Sequence, residues 1–482
     1  MNVKSSPINV NKQGIRFAPD DSRVITKFYS PNKKRIHHII NRILDLSDQE
    51  VSLILKQILK RFSHRHGDIK RVFKDNYDRV ALKNIDISLE RRLLIGSYFT
   101  MEYSIESVAL FNPSIVIHPN QGYLNGGDLR VIISFRAVGE GHVSSIVFRE
   151  GVININGDLI LEPKSPIVER PKIIPNPKYI KKDFVLKLKE INAYNLVKDI
   201  FNDLLDEFTI EELHESIEKF KKNTKIDYYY NEAIETLLWL AGSTYEVEFD
   251  NELSLSGRVI FPLSKSDIKG LEDARFMLFE DEKGNKRYYA TYSAFNGLTI
   301  LPQLIETKDF VQFRISTLIG SGSQNKGMVL FPEKIYGKYM MVSRNDSENL
   351  FIMISENIHY WENPIMIRKP AFYWEFYQIG NCSPPLKTEK GWLLLTHGVG
   401  PVRTYCIGAM LLDLKDPLNI IGILKEPLLF PNENERNGYV PNVVYSCGAL
   451  IYCDNLILPY AMSDTRSGIA VFNVNEILDN MI

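Results

Sequence analysis

The sequence predicts a mainly β fold, a five-bladed β-propeller carrying an N-terminal helical hairpin and a helical insertion. Three observations predict it. Five apolar strands recur along the chain, each ending in a polar residue. Helical periodicity is confined to two stretches, residues 32–66 and about 183–242. From Glu246 to the end the chain consists of short strand-like runs separated by turns.

The recurring strands are Arg130-Val-Ile-Ile-Ser-Phe-Arg136, Arg287-Tyr-Tyr-Ala-Thr-Tyr-Ser293, Lys338-Tyr-Met-Met-Val-Ser-Arg344, Gly391-Trp-Leu-Leu-Leu-Thr-His397 and Asn455-Leu-Ile-Leu-Pro-Tyr-Ala-Met-Ser-Asp464. Setting aside the helical insertion, they repeat every 50 to 65 residues or so, roughly the length of a four-stranded blade with its loops. Thr307-Lys-Asp-Phe-Val-Gln-Phe313 is echoed by Ser355-Glu-Asn-Ile-His-Tyr-Trp361 at a similar interval. If each strand holds the same place in its blade, Arg136, Arg344, His397 and Asp464 meet in one central cavity, fed by the turn at Asp273. A strand-end charge is ordinarily solvated and a single histidine is ordinarily a satisfied surface or core residue. Several such groups at equivalent positions of one repeat argue against that for this set.

The two helical stretches read separately. Residues 1 to about 30 form a partly extended arm around Ser22-Arg-Val-Ile25. Ile36, Ile39, Ile40, Ile43 and Leu44 then follow the spacing of one helix face. Ser47 with Glu50 makes a capping box for a second helix bearing Val51, Ile54, Leu55, Ile58 and Leu59. A strand-rich zone is expected from about Ile95 to Leu161, then a loop marked by Pro163, Pro166, Pro171, Pro175 and Pro177. Within the insertion, Asn192 to Phe208 and Thr209 to Lys221 are the clearest helical segments. The implied organisation is an arm and hairpin over residues 1–94, packed on a propeller over 95–482.

Composition narrows the function classes. Lys plus Arg number 58 against 59 Asp plus Glu, so no net field favours nucleic acid or an anionic membrane. No apolar run approaches the roughly 18 residues of a membrane span, and the polar start Met1-Asn-Val-Lys-Ser-Ser6 lacks the apolar core of an export signal. These features read as a soluble cytoplasmic chain. Cys382, Cys406, Cys447 and Cys453 have no C-x-x-C spacing and read as buried free thiols. No cluster has metal-ligand spacing, so no metal is expected.

The stretch that could carry chemistry is Gly270-Leu-Glu-Asp-Ala-Arg-Phe276, ahead of the second recurring strand. By residue type alone, Glu272, Asp273 and Arg275 form either a self-satisfying ion-pair turn or a carboxylate held for proton transfer. Trp374, Tyr377, Tyr405 and Tyr439 are aromatic candidates for stacking on a ligand, against the commoner role of aromatics as core.

Several ordered motifs carry a resemblance. Gly270-Leu-Glu-Asp-Ala-Arg275, Lys326-Gly-Met-Val-Leu-Phe-Pro-Glu333, Pro384-Pro-Leu-Lys-Thr-Glu-Lys-Gly-Trp392, Thr396-His-Gly398, Gly408-Ala-Met-Leu-Leu-Asp413 and Tyr439-Val-Pro-Asn-Val-Val444 resemble glycoside hydrolase family 130. That family holds β-mannoside phosphorylases and related β-mannosidases on a five-bladed propeller. The match covers about residues 95–160 and 245–480; the two helical additions lie outside its usual short members. The resemblance implies Asp273 as proton donor, acting through a sugar hydroxyl, with Glu272 and Arg275 orienting it or holding the mannosyl unit. It implies a mannosyl subsite lined by Asn112, Arg136 and Asp464, with Tyr439 and Asn442 in a matching motif. It implies a phosphate site of Lys326, Arg344 and Lys387, with His397 nearby, inorganic phosphate serving as co-substrate and no other cofactor. Lys326-Gly327 departs from the Arg-Asn pair of many phosphorylases, keeping the charge but losing the bidentate fork.

The expected activity is inverting phosphorolysis of a β-mannoside, with mannose 1-phosphate formed or used. The alternative within the same chemistry is a β-mannosidase, with Glu333 or Glu375 as base for water. A third reading is a carbohydrate-binding propeller without catalysis, since propellers host unrelated functions. The expected partners are a glycoside or oligosaccharide and phosphate, with no nucleic acid or membrane. The helical additions are compatible with a homo-oligomer.

Overall fold

In the computed structural model of the chain, which describes residues 8–80, 86–122, 124, 126–174, 177–264, 266–295 and 300–482, each of the five recurring strands is the second strand of an antiparallel unit. The polar start Met1 to Ser6 and Pro175 lie outside the described residues. The first unit is Ala109–Ile117, Leu129–Val138, Ser144–Ile153 and Leu159–Leu161. The second is Gly270–Glu280, Lys286–Phe295, Ile300–Thr307 and Gln312–Thr317. A parallel pairing of Gly270 with Ser144 joins these two into one larger sheet. The third is Val329–Leu330, Tyr339–Ser343, Leu350–Ser355 and Ile365–Arg368. The fourth is Gln378–Asn381, Trp392–Val399, Tyr405–Leu412 and Ile420–Ile423. The fifth is Val444–Tyr445, Asn455–Met462 and Arg466–Asn473, completed by Asn11–Phe17 from the other end of the chain. The N-terminal arm is thus part of the β-structure.

The strands read as apolar runs because both faces are covered. Trp392–Val399 is buried at every position, which removes the in-out alternation of a half-exposed strand. Successive units share cores. Ile132 and Phe148 pack with Phe276 and Tyr292, and Met277 and Leu304 with Met341 and Met353. Val342 packs with Leu394 and Met410, and Leu395 and Ala409 with Leu456 and Ala470. The fifth unit then meets the first through Ile457, Val471, Leu110 and Ile133. Inside that last contact Glu106, fully buried, accepts from Arg23 Nε at 2.7 Å and Arg149 Nη2 at 2.7 Å, tying the arm to the first unit.

The expected helical hairpin is the first half of a larger helical unit. α1 (Lys33–Leu44) and α2 (Asp48–Phe62) are followed by α3 (Ile69–Val80) and α4 (Leu89–Tyr98). The Ser47–Glu50 capping box forms, with Ser47 N–H donating to Glu50 Oε2 at 2.8 Å. α4 holds the pair in place through Arg91, whose guanidinium donates to the carbonyls of Ile43 and Leu44 at 2.6 and 3.1 Å and of Leu46 at 2.9 Å. The Ile43 and Leu44 carbonyls lie in the last turn of α1, where a cation suits that end of the dipole. Because α4 runs to Tyr98, the strand-rich zone expected from Ile95 starts at Thr100.

The insertion has its own core, including Leu188, Phe201, Leu213 and Leu237. It leaves and rejoins the same edge, where Lys172–Ile174 and Tyr245–Glu248 extend the second unit. α5 (Lys181–Glu190) opens it, and helices Ile210–Asn223, capped by Thr209 and Glu212, and Tyr228–Gly242 close it. The expected helix from Asn192 to Phe208 is instead a short helix, Tyr194–Val197, a 3-10 turn and a strand, Glu207–Phe208. Asn192 stands in the left-handed region at φ 59°, which ends α5 and redirects the chain. Among the described residues no helix is long and apolar enough to cross a membrane. All four cysteines are free; Cys382, Cys406 and Cys447 are buried, whereas Cys453, expected with them, is exposed.

Candidate active site

Two breaks in strand pairing build the site. The first strand of the first unit slips register between Phe111 and Ser114, and that of the second unit between Glu272 and Arg275. Asn112 and Asp273 sit in these bulges at φ 48° and 56°, a region that Asn and Asp tolerate better than other side chains. A bulge re-aims a side chain out of the pleat, and here both aim at each other. Asn112 Nδ2 donates to Asp273 Oδ1 at 2.6 Å.

Charged groups close around that contact. Arg136, from the second strand of the first unit, donates to Glu272 Oε1 at 2.7 Å and approaches Asp273 Oδ1 at 3.4 Å. Lys326 Nζ donates to the other Glu272 oxygen. Arg275, 3% exposed, donates from Nη1 to the Asp273 main-chain carbonyl at 2.9 Å and from Nη2 to the Tyr445 hydroxyl at 2.6 Å. Burial pushes the Asp273 carboxyl up, but Arg136, Arg275, Asn112 and Lys326 outweigh it and hold the group below the usual carboxylate range. Burial, then the negative charge of Asp273, pushes the neighbouring Asp464 carboxyl up to about 7. Near neutral pH the proton of this pair therefore resides mainly on Asp464.

A second group lies behind Tyr445. Its ring is 5.1 Å from that of His397, which stacks on Tyr405 at 6.1 Å. His397 Nδ1–H donates to the Asn381 carbonyl at 3.0 Å, leaving Nε2 to accept from Arg344 Nη1 at 3.3 Å, with the Gln378 amide beside both. Burial, and then Arg344, push His397 down to about 3, so it is a neutral acceptor near pH 7. Among the described residues, the buried polar atoms without a partner include Asn112 Oδ1, Asn381 Oδ1 and the Nε atoms of Arg136, Arg275 and Arg344. Unmet hydrogen-bonding capacity gathered in one place is the mark of a ligand site.

Most of the residues singled out in the sequence come together here: Asn112, Arg136, Glu272, Asp273, Arg275, Lys326 and Asp464, with Arg344 and His397 on the far side of Tyr445. Tyr439 and Asn442 lie on the loop that packs against the Asp464 turn. Tyr439 N–H donates to Thr465 Oγ1 at 2.9 Å, while its side chain is exposed and faces His142 at 5.7 Å. Asn442 stands at φ 62° and its carbonyl accepts from Tyr405 N–H at 3.0 Å.

Lys387 does not join the group and is a correction. Strand Trp392–Val399 takes two short partners, Gln378–Asn381 opposite His397 and Leu386–Lys387 opposite Trp392. Five residues of strand separate the two ends, about 17 Å at 3.3–3.4 Å per residue. The Lys387 ammonium lies over Trp392 and donates to Glu333 Oε1 at 2.7 Å.

The candidate bases for water are also committed elsewhere. Glu333 holds Lys387, and fully buried Glu375 accepts from Arg368 and from Ala371 and Phe372 N–H at 2.8 and 3.1 Å. Trp374 is core, its indole donating to the Lys425 carbonyl at 3.0 Å, and Tyr377 is exposed. Among the described residues no group of three His, Cys, Asp or Glu side chains is placed to hold a metal ion. Tyr445 was not legible beforehand: it ends a two-residue strand, too short for a pattern to form.

The family model described as beta-1,4-mannooligosaccharide phosphorylase, that of glycoside hydrolase family 130, matches residues 162–482. The chain is 28% identical over 360 residues to the beta-1,2-mannobiose phosphorylase of Listeria innocua, covering 72% of this chain and 95% of that protein. It is 33% identical over 232 residues to the 1,2-beta-oligomannan phosphorylase of a Thermoanaerobacter species, covering 47% of this chain and 76% of that one. A solved structure of the Listeria innocua enzyme with beta-1,2-mannobiose aligns over 79% of this chain and 93% of its own, at 22% identity and a TM-score of 0.46.

Proposed function

The chain belongs to glycoside hydrolase family 130, and we propose that it is an inverting mannoside phosphorylase, transferring a mannosyl unit between a β-mannoside and inorganic phosphate. The observation that carries this reading is the division of the site. A carboxylate pair, Asp273 and Asp464, lies at the bulges with Lys326, which donates to Glu272, and Arg344 beside His397 supplies the cation of an anion side. Phosphorolysis needs one protein acid and a cationic clamp, since phosphate brings its own nucleophilic oxygen. Of the bases considered for a hydrolytic route, Glu333 and Glu375 are engaged elsewhere.

Asp273 is the proton donor in this reading, with the proton reaching the leaving oxygen through a sugar hydroxyl. The cations around Asp273 hold it ionised. A phosphate dianion drawn in by Arg344 and Lys326 offsets their field and raises the affinity of Asp273 for a proton. Loading the nucleophile thereby arms the acid. Asn112, Arg136, Glu272 and Asp464 offer the paired donors and acceptors that a mannosyl ring requires, and Arg275 fixes the Asp273 turn. His397, neutral, orients Arg344. Tyr439 and Asn442 sit at the rim, where the leaving sugar would lie.

We read the five antiparallel units as blades of a five-bladed propeller. Support comes from the chain of shared cores, which returns from the fifth unit to the first, and from Asn11–Phe17 completing the last unit. The arm and helical unit over 1–94 pack on that propeller. A cytoplasmic location is part of the proposal, since charged sugar phosphates are retained there. The test is synthesis: mannose 1-phosphate with a panel of sugar acceptors should yield a β-mannoside and free phosphate. No disaccharide with any acceptor, together with phosphate-independent release of mannose from β-1,2- and β-1,4-mannobiose, would overturn it.

A further inference from the structure

We infer that Tyr445 is a positioning residue that locks the Asp273 turn to the Arg344 side of the site. The inference rests on the phosphorylase reading and names a part of the same machinery. Tyr445 makes three connections from one short strand. Its hydroxyl accepts from Arg275 Nη2 at 2.6 Å, and the other arm of that guanidinium holds the Asp273 carbonyl at 2.9 Å. Its ring packs 5.1 Å from His397, which accepts from Arg344. Its backbone pairs with Ala461, on the strand leading to Asp464.

The hydroxyl and the ring have separable jobs. Arg275 is buried, and its Nε has no partner, so its two terminal nitrogens carry the hydrogen bonding. Losing the hydroxyl strips one of them, and a buried cation then moves to find another acceptor. Such a movement releases the Asp273 carbonyl from the bulge that aims its carboxyl. The ring instead buttresses His397 and, through it, Arg344. In-line displacement needs donor and nucleophile on opposite faces of one sugar, and small misplacements of either slow it.

The test separates the two jobs. Tyr445→Phe keeps the ring, and should lower kcat on the order of tenfold while phosphate KM stays within about twofold. Tyr445→Leu loses both, and should also raise phosphate KM by about fivefold or more. Rates are normalised to the folded fraction from circular dichroism. In the Arg275→Met background, adding Tyr445→Phe should cost almost nothing more, because the hydroxyl acts through Arg275. Unchanged kcat in folded Tyr445→Phe, or losses that simply add to those of Arg275→Met, would overturn the inference. Equal mannose release by wild type without phosphate would overturn the phosphorylase reading instead. The kcat comparison is then made on that hydrolysis and still decides the link from Tyr445 to Arg275.

Discussion

Replacing Asp464 with Asn removes a titration that makes the fold less stable as pH rises. Burial and the charge of Asp273 move this carboxyl from 3.8 to about 7, against the pull of Arg136. Below 3.8 it is protonated in both folded and unfolded chains. Between 3.8 and about 7 it ionises only on unfolding, and above about 7 it is ionised in both. The group's favourable contribution is therefore present at low pH and lost as pH rises through about 7. At about 1.4 kcal/mol per pH unit the full loss is about 4 kcal/mol, and residual solvent contact brings it to about 2–4 kcal/mol. A chain of 482 residues unfolds with an entropy of about 1 kcal/mol/K, so the change in melting temperature is about 2–4 °C. Thermal melts of wild type and Asp464→Asn from pH 4 to pH 8 should show the variant gaining on wild type by that amount up to about pH 7, then holding a constant lead. A difference that is flat with pH would refute the raised titration of Asp464.

The remaining predictions address the two sides of the site and the frame around it. Asp273→Asn should lower turnover by on the order of 10²-fold or more in a folded protein, measured as initial rate with saturating phosphate. Arg344→Ala should raise the phosphate KM by about tenfold or more, whereas Lys387→Ala should leave it within about twofold, since Lys387 pairs with Glu333. Glu106→Gln leaves two buried guanidiniums facing a neutral amide and should cost about 3–5 kcal/mol of stability in denaturant melts.

The second strand of every unit was legible because burial on both faces leaves an uninterrupted apolar run with a polar end, and that signal repeats. The bulges were not: a register slip depends on the partner strand, and nothing near Asp273 distinguishes a bulge from an ion-pair turn. Lys387 shows the same limit, since motif order placed it near His397 while the pairing of Trp392–Val399 with two separate strands carries it to the opposite end. The charge state of His397 is likewise a product of burial and of Arg344, which only the folded chain brings to it. α3 carries Ile69, Phe73, Tyr77 and Val80 on one buried face, but the charged residues between them dilute the pattern. Within the insertion, Val197, Ile200, Phe201, Leu204 and Phe208 are buried by turns rather than by the one expected helix.

In the proposed reaction phosphate, held by Arg344, is the nucleophile. The most direct measurement is cleavage of β-1,2- and β-1,4-mannobiose followed by phosphorus and proton NMR, with and without inorganic phosphate. α-Mannose 1-phosphate is expected from at least one of them, formed in step with mannose and only when phosphate is present. Release of two mannose molecules per disaccharide at an equal rate without phosphate, and no sugar phosphate at all, would contradict it.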